Sequence, residues 1–218
     1  MTSSSTPSPV TAAEGLFLPM SERFVTSAGV PLQGDVDLAV TLANIPADFT
    51  TKGMFFTRYV AALGAEWEEL LPSLDEPAKH GRYHAFVDYP LRDYVRVFER
   101  VARARFPGST REAFRLLARG EIEVFSESTL GRVAFSLLRD PAATLLRFPD
   151  LFKMVSRASS CTARQIGDRH VSVTFPRFHG ASEQALGLVE GIVQTYDEEP
   201  RLSVVIDDHR RIDFDVTW

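Results

Sequence analysis

One cysteine, three lysines and no apolar run near the roughly 18 residues of a membrane span are what this 218-residue chain has least of. Cys161 alone cannot close an internal disulfide, so nothing indicates an oxidising compartment. The opening stretch MTSSSTPSPVTAAEG lacks both the basic segment and the apolar core of a secretory leader, and the chain is read as cytoplasmic. A net charge of −5 offers no general basic surface to displace counterions from phosphates, which argues against nucleic acid as a partner. The motifs of nucleophilic, nucleotide-dependent and zinc catalysis are also missing: there is no GxSxG elbow, phosphate loop, dinucleotide fingerprint, HExxH or CxxC. The chain is therefore read as a non-enzyme.

What is present is apolar periodicity, with 44% hydrophobic residues available for a core. Residues 1–14, rich in Ser, Thr and Pro, read as a disordered tail, and 15–218 as a single α+β domain. Its helical part runs over about 35–158. DVDLAVTLANI gives a short helix, and KGMFFTRYVAALG places Phe55, Phe56, Tyr59, Val60 and Leu63 at helical spacing before Gly64. Residues 72–86 read as a loop. Pro90 opens a helix to Phe106, and Ser109 with Glu112 has the spacing of a capping box that starts another, ending near Gly120. A further helix is expected over Val124–Leu138, and one from Asp140-Pro141 that is interrupted near Pro149.

Past Arg157 the period falls to two. Cys161–Gln165 with His170–Thr174, and Leu202–Ile206 with Ile212–Val216, read as two hairpins around a helix capped by Ser182. The fold class is thus α+β, an N-terminal helical region packed on a C-terminal antiparallel ββαββ unit over about 159–218. On the central helix Ala185, Val189, Ile192, Val193 and Tyr196 share the face that would cover the sheet. Gly187 and Gly191 sit on its flank beside Leu188. Each costs about 1 kcal/mol against alanine in a helix interior, so they imply a close second contact, with a preceding helix or with a ligand.

Several segments also carry a resemblance. DVDLAVTLANIP with KGMFF, ARGEIEVFSESTLGRVAFSLL, RDPAATLLRFPDLFKM, GLVEGIVQTY and the closing IDFDVTW resemble a large myxobacterial paralogous family of unknown function, over about residues 35–218. In element order the chain is more distantly similar to the heme nitric-oxide-binding domain and to vinyl-reductase-type and TRAPP-type ligand-binding folds. A heme sensor of that kind holds iron through a histidine from a helix ahead of the first hairpin, but Asp88–Ser160 contains none. The strand HVSVTFPRF offers only Ser172, Thr174 and Arg177 toward the Tyr-x-Ser-x-Arg propionate motif of that family. No heme, and no other cofactor, is expected.

Two functional readings follow. In the first, a regulatory module binds a small apolar ligand between helices and sheet, lined by Phe55, Phe56, Tyr59, Phe125, Leu130, Phe135, Gly187, Leu188 and Gly191, with Arg132 as polar anchor. In the second, a protein–protein adaptor, with a homodimer as one form, uses the arginine stripe Arg92, Arg96, Arg100 and Arg103. Asp93 and Glu99 border that stripe, and Arg111, Arg115 and Arg119 repeat it, so both read also as solvated faces. Glu121, Glu123 and Glu127 around VFSESTLGRV read as the acidic surroundings of a helix N-terminus capped by Ser126 or Ser128. His80 and His84 have HxxxH spacing, but Gly81 removes the helix a metal pair would need, and no metal site is assigned.

Overall fold

The computed structural model describes residues 22–27, 29–207 and 209–218; the tail expected over 1–14 lies outside them. The chain enters the described region through a strand, β1 (Glu22–Ser27), followed by α1 (Leu38–Ala43). The ribbon strand β2 (Thr50–Lys52) leads into α2 (Gly53–Leu63) and α3 (Glu66–Leu70), and β3 (Asp88–Pro90) leads into α4 (Leu91–Arg105). Three longer or linked helices follow, α5 (Thr110–Glu127), α6 (Thr129–Ser136) and α7 (Pro141–Val155). The last third is β4 (Thr162–Gly167), β5 (His170–Phe175), α8 (Ser182–Gln194), β6 (Arg201–Ile206) and β7 (Ile212–Thr217), which is the expected ββαββ order.

The two hairpins pair through β5 and β7 into one antiparallel sheet, and β1 adds to its far edge, giving the order β1-β6-β7-β5-β4. Strand alternation sends Val171, Val173, Phe175, Leu202, Val204, Ile212, Phe214 and Val216 to the buried face. Against that face α8 lays Ala185, Leu186, Val189, Ile192 and Val193, all nearly inaccessible to solvent. Burying each of the larger aliphatic side chains is worth about 1.5–3 kcal/mol, so this layer is a principal source of stability.

The other flank of α8 meets α5 at backbone distance. A Cβ on Gly187 would lie 2.1 Å from the Arg115 carbonyl oxygen, and one on Gly191 2.8 Å from that of Arg119. The glycines therefore permit a helix crossing that no side chain would fit. Both glycines face α5.

Four boundaries differ from the sequence expectation. Helix α5 passes through Gly120 and ends at Glu127, because the Arg58 guanidinium holds the Gly120 carbonyl at 3.1 Å and Ile122 and Phe125 continue the buried face. The break falls instead at Ser128, whose Oγ accepts from the Gly131 amide at 3.0 Å and caps α6. Helix α7 continues across Pro149; the proline forgoes one backbone bond, while Phe148 and Phe152 anchor the turns on either side in the core. Ala181, not Ser182, is the N-cap of α8, and the Gln184 side chain accepts from the Ala181 amide at 3.1 Å. The expected capping box at Ser109 is half made: Ser109 Oγ accepts from the Glu112 amide, but the Glu112 carboxylate turns to the Leu32 amide at 2.7 Å. The strand β1 and the ribbon β2–β3 had no counterpart in the sequence reading.

Candidate functional site

Helices α2, α4, α5, α6, α7 and α8 do not fill the space between them. A cavity of about 80 Å³ remains, walled by Phe55, Phe125, Phe135, Phe148, Phe152 and Phe178, with Leu188 and Ile192 of α8 on one side. The sheet contributes no residue to this wall; the groove expected between helices and sheet is an inter-helical cavity, because α8 itself covers the sheet.

One ionisable acid stands in the wall. Glu121, in the last two turns of α5, lines the cavity with 8% of its surface exposed. Its Oε1 accepts from the Tyr59 hydroxyl of α2 at 3.0 Å and from the Tyr94 hydroxyl of α4, while Oε2 has no partner among the described residues. Burial raises the Glu121 carboxyl to about 7, and the two phenolic bonds and the Arg58 charge only partly offset it. Tyr59 and Tyr94 are held well above the usual phenol range, first by burial and then by the adjacent carboxylate. The triad is thus a poised acid with two phenols that stay protonated.

The residues assigned from the sequence separate into groups. Phe55, Phe125, Phe135 and Leu188 line the cavity together. Phe56 and Tyr59 lie deeper in the aromatic core, Tyr59 reaching the site through its hydroxyl. Leu130 is half-buried against the core outside the cavity wall, and Arg132 is exposed rather than an anchor within it. Gly187 and Gly191 face α5. Ser128 does cap α6, but Glu121, Glu123 and Glu127 belong to the C-terminal end of α5 and not to a helix start. His80 has a left-handed φ of 55° in a turn and shares no helix with His84. Burial pushes the Cys161 thiol up to about 12, leaving it inert at neutral pH.

The arginine stripes divide likewise. On α4, Arg92 donates to the Ile45 carbonyl at 2.8 Å, Arg96 pairs with Asp93 and Asp75, Arg100 with Glu66 and Glu69, and Arg103 with Glu99. On α5, Arg115 is not solvated at all: it is fully buried and bidentate to the equally buried Glu190 of α8, at 2.7 and 2.5 Å. Its remaining donors reach the Val30 and Ser27 carbonyls beside β1, and Arg119 adds 2.9 Å to Glu190. The one signal for this pair was a glutamate between two helical glycines, embedded in the apolar run of Leu188, Val189, Ile192 and Val193.

Sheet order, the helix pressed on it and the helices beyond give an α+β fold like that of H-NOX domains. An H-NOX protein from S. oneidensis in the Fe(II)NO ligation state superposes with a TM-score of 0.61 at 12% identity, over 76% of this chain and 97% of that one. A mutant H-NOX from T. tengcongensis gives 0.58 at 18% over 76% and 96%, and the unliganded Fe(II) H-NOX from K. algicida 0.56 at 13% over 76% and 95%. The chain belongs to the DUF2378 family of proteins of unknown function, whose model matches residues 45–218. No match is found among curated proteins. Among the described residues no helix is long and apolar enough to cross a membrane.

Heme distortion is a feature of the H-NOX family, and heme requires an axial ligand for its iron and cations for its carboxylates. The cavity wall contains no histidine, cysteine, methionine, lysine or arginine. Iron would find only Tyr94, whose hydroxyl is committed to Glu121 and resists ionisation, or Glu121 itself; carboxylate side groups would find no cation. About 80 Å³ also falls well below the roughly 300–1,000 Å³ of sites for larger ligands. These residues do not fit heme.

Proposed function

We propose that the chain is a non-enzymatic sensory module that binds a small, mainly apolar molecule in the inter-helical cavity and passes its occupancy to a partner. The observation that carries the reading is the cavity itself: a phenylalanine-walled void beside the α5–α8 crossing, with one poised carboxyl, in a fold like that of an H-NOX protein solved in the Fe(II)NO ligation state. Well-packed interiors leave few voids larger than a water molecule, and one of this size forfeits dispersion contacts that a ligand restores. The internally paired arginines of α4 weaken the adaptor alternative, which needs that charge for a partner.

The test is xenon, which enters dry apolar cavities without any polar requirement. Amide shifts in NMR spectra under xenon pressure are expected to centre on Phe125, Leu188 and Ile192, and Leu188→Phe, which fills the void, is expected to abolish them. Native mass spectrometry of the purified chain is expected to show an added small mass. A chain that answers neither xenon nor native mass spectrometry has a core filled by its own side chains, as an adaptor would.

A further inference from the structure

We propose that the ligand the cavity accepts is a small primary amine, its ammonium on Glu121 Oε2 and its hydrocarbon among the surrounding phenyl rings. This rests on the cavity reading above and narrows it to a chemical class.

Each other polar side chain of the wall makes at least one hydrogen bond within the chain, although the Gln184 amide and the Ser156 and Ser159 hydroxyls keep neutral donors to spare. Gln184 Oε1 accepts from the Ala181 amide, and the Thr51 hydroxyl donates to the Val155 carbonyl at 3.3 Å. Ser156 Oγ accepts from the Ala158 amide and Ser159 Oγ from the His179 amide, each at 3.2 Å. The Tyr94 hydroxyl donates to Glu121. Glu121 Oε2 is the open acceptor that carries charge when the carboxyl is ionised.

Charge then selects the occupant. The wall holds no cationic side chain, so a carboxylate or phosphate ligand would bring a second uncompensated negative charge beside Glu121. A hydrocarbon would leave Oε2 unpaired. An ammonium supplies donors and the opposite charge together, and the six phenylalanine rings of the wall favour a cation over a neutral group of equal size. The void's volume restricts the hydrocarbon to a few carbons.

The pH response has a definite sign. The groups facing Glu121 are Tyr59 and Arg58 from α2 and Tyr94 from α4, whereas α6, α7 and α8 place only neutral side chains in the wall. With phenols that remain protonated, the carboxyl is the group that titrates, and the ammonium requires it ionised.

An NMR titration of the full chain with butylamine, 1-butanol and butyrate at about pH 8 tests this, with saturable shifts at Glu121, Phe125 and Leu188 as the readout. Butylamine is expected to bind at least about tenfold more tightly than 1-butanol, with butyrate silent, and to weaken by about tenfold when the pH falls to about 6. Glu121→Gln is expected to bring butylamine down to the alcohol's affinity; the pH series on the unaltered chain gives the same answer without a variant. Butanol binding as tightly as butylamine, or amine binding indifferent to pH and to Glu121→Gln, overturns the amine assignment and leaves the cavity reading standing. Xenon shifts with no response to any organic probe overturn it too. Silence toward xenon and all three probes removes the cavity reading itself.

Discussion

Glu190 and Glu121, buried on helices that cross each other, are held in opposite ways. Glu190 of α8 is fully enclosed and meets two guanidinium groups, of which that of Arg115 is in turn anchored to the Val30 and Ser27 carbonyls. Glu121 of α5 meets two phenols and a cavity. The first arrangement leaves neither charge uncompensated and ties α5, α8 and the edge of the sheet into one piece. The second keeps a proton near neutrality and an acceptor open. Equal burial thus produces a structural tie in one place and a chemically responsive site in the other; what differs is whether the partner brings a charge or only a hydrogen.

The largest effect that sharpens this contrast is expected from the Glu190 side. Arg115→Ala leaves Glu190 buried with only Arg119 beside it, and removing one partner of a buried pair typically costs about 3–5 kcal/mol. Urea denaturation is the measurement. A loss below about 1 kcal/mol would place the pair with ordinary surface contacts and erase the distinction between the two glutamates.

Next in size is a pH effect confined to Glu121. Its carboxyl titrates at about 7 in the folded chain against an ordinary 4.5, so between those values the native state holds a proton that the unfolded state has released. Stability on this account is fully present below about pH 4.5, falls as the pH rises and levels off above about 7, a total of about 3 kcal/mol. Glu121→Gln is expected to flatten that slope and, above about pH 7, to be as stable as or more stable than the parent, because it removes the cost of a buried ionised group. Thermal melts across this range check it. A slope that survives the substitution would assign the proton elsewhere.

The two sites were unequally legible in the sequence. The apolar periods that place Phe55, Phe125 and Leu188 on inward faces are local, and so the hairpins, the central helix and part of the cavity wall follow from spacing alone. Neither buried glutamate is local. Arg115 and Glu190 are 75 residues apart, and Arg115 repeats the spacing of Arg111 and Arg119, which do reach the surface. Tyr59, Tyr94 and Glu121 converge from three helices, and their meeting is fixed by how α2 and α4 pack on α5, which no pattern within one helix records. The edge strand β1 was missed for a related reason: Glu22 to Ser27 turns only Phe24 and Thr26 inward and acquires its identity by pairing with β6. Helix α5 was cut at Gly120 because a glycine is a local stop signal, whereas the contacts that override it come from α2.

The smallest predicted effect tests whether burial, and not the arginine–glutamate pairing itself, separates the two glutamates. Arg100 on α4 reaches Glu66 at 3.0 Å and Glu69 at 2.8 Å, as many carboxylate oxygens as Arg115 finds on Glu190, but its side chain is 38% exposed and its partners more so. Water screens these charges and already hydrates them in the unfolded chain, so little is gained by bringing them together. Arg100→Ala is expected to lower stability by less than about 1 kcal/mol, and the loss is expected to shrink further in high salt. Urea denaturation at low and high ionic strength measures both. A loss rivalling that of Arg115→Ala would mean that the α4 stripe is a structural network in its own right, and that the closed and open glutamates differ by more than the surroundings described for them.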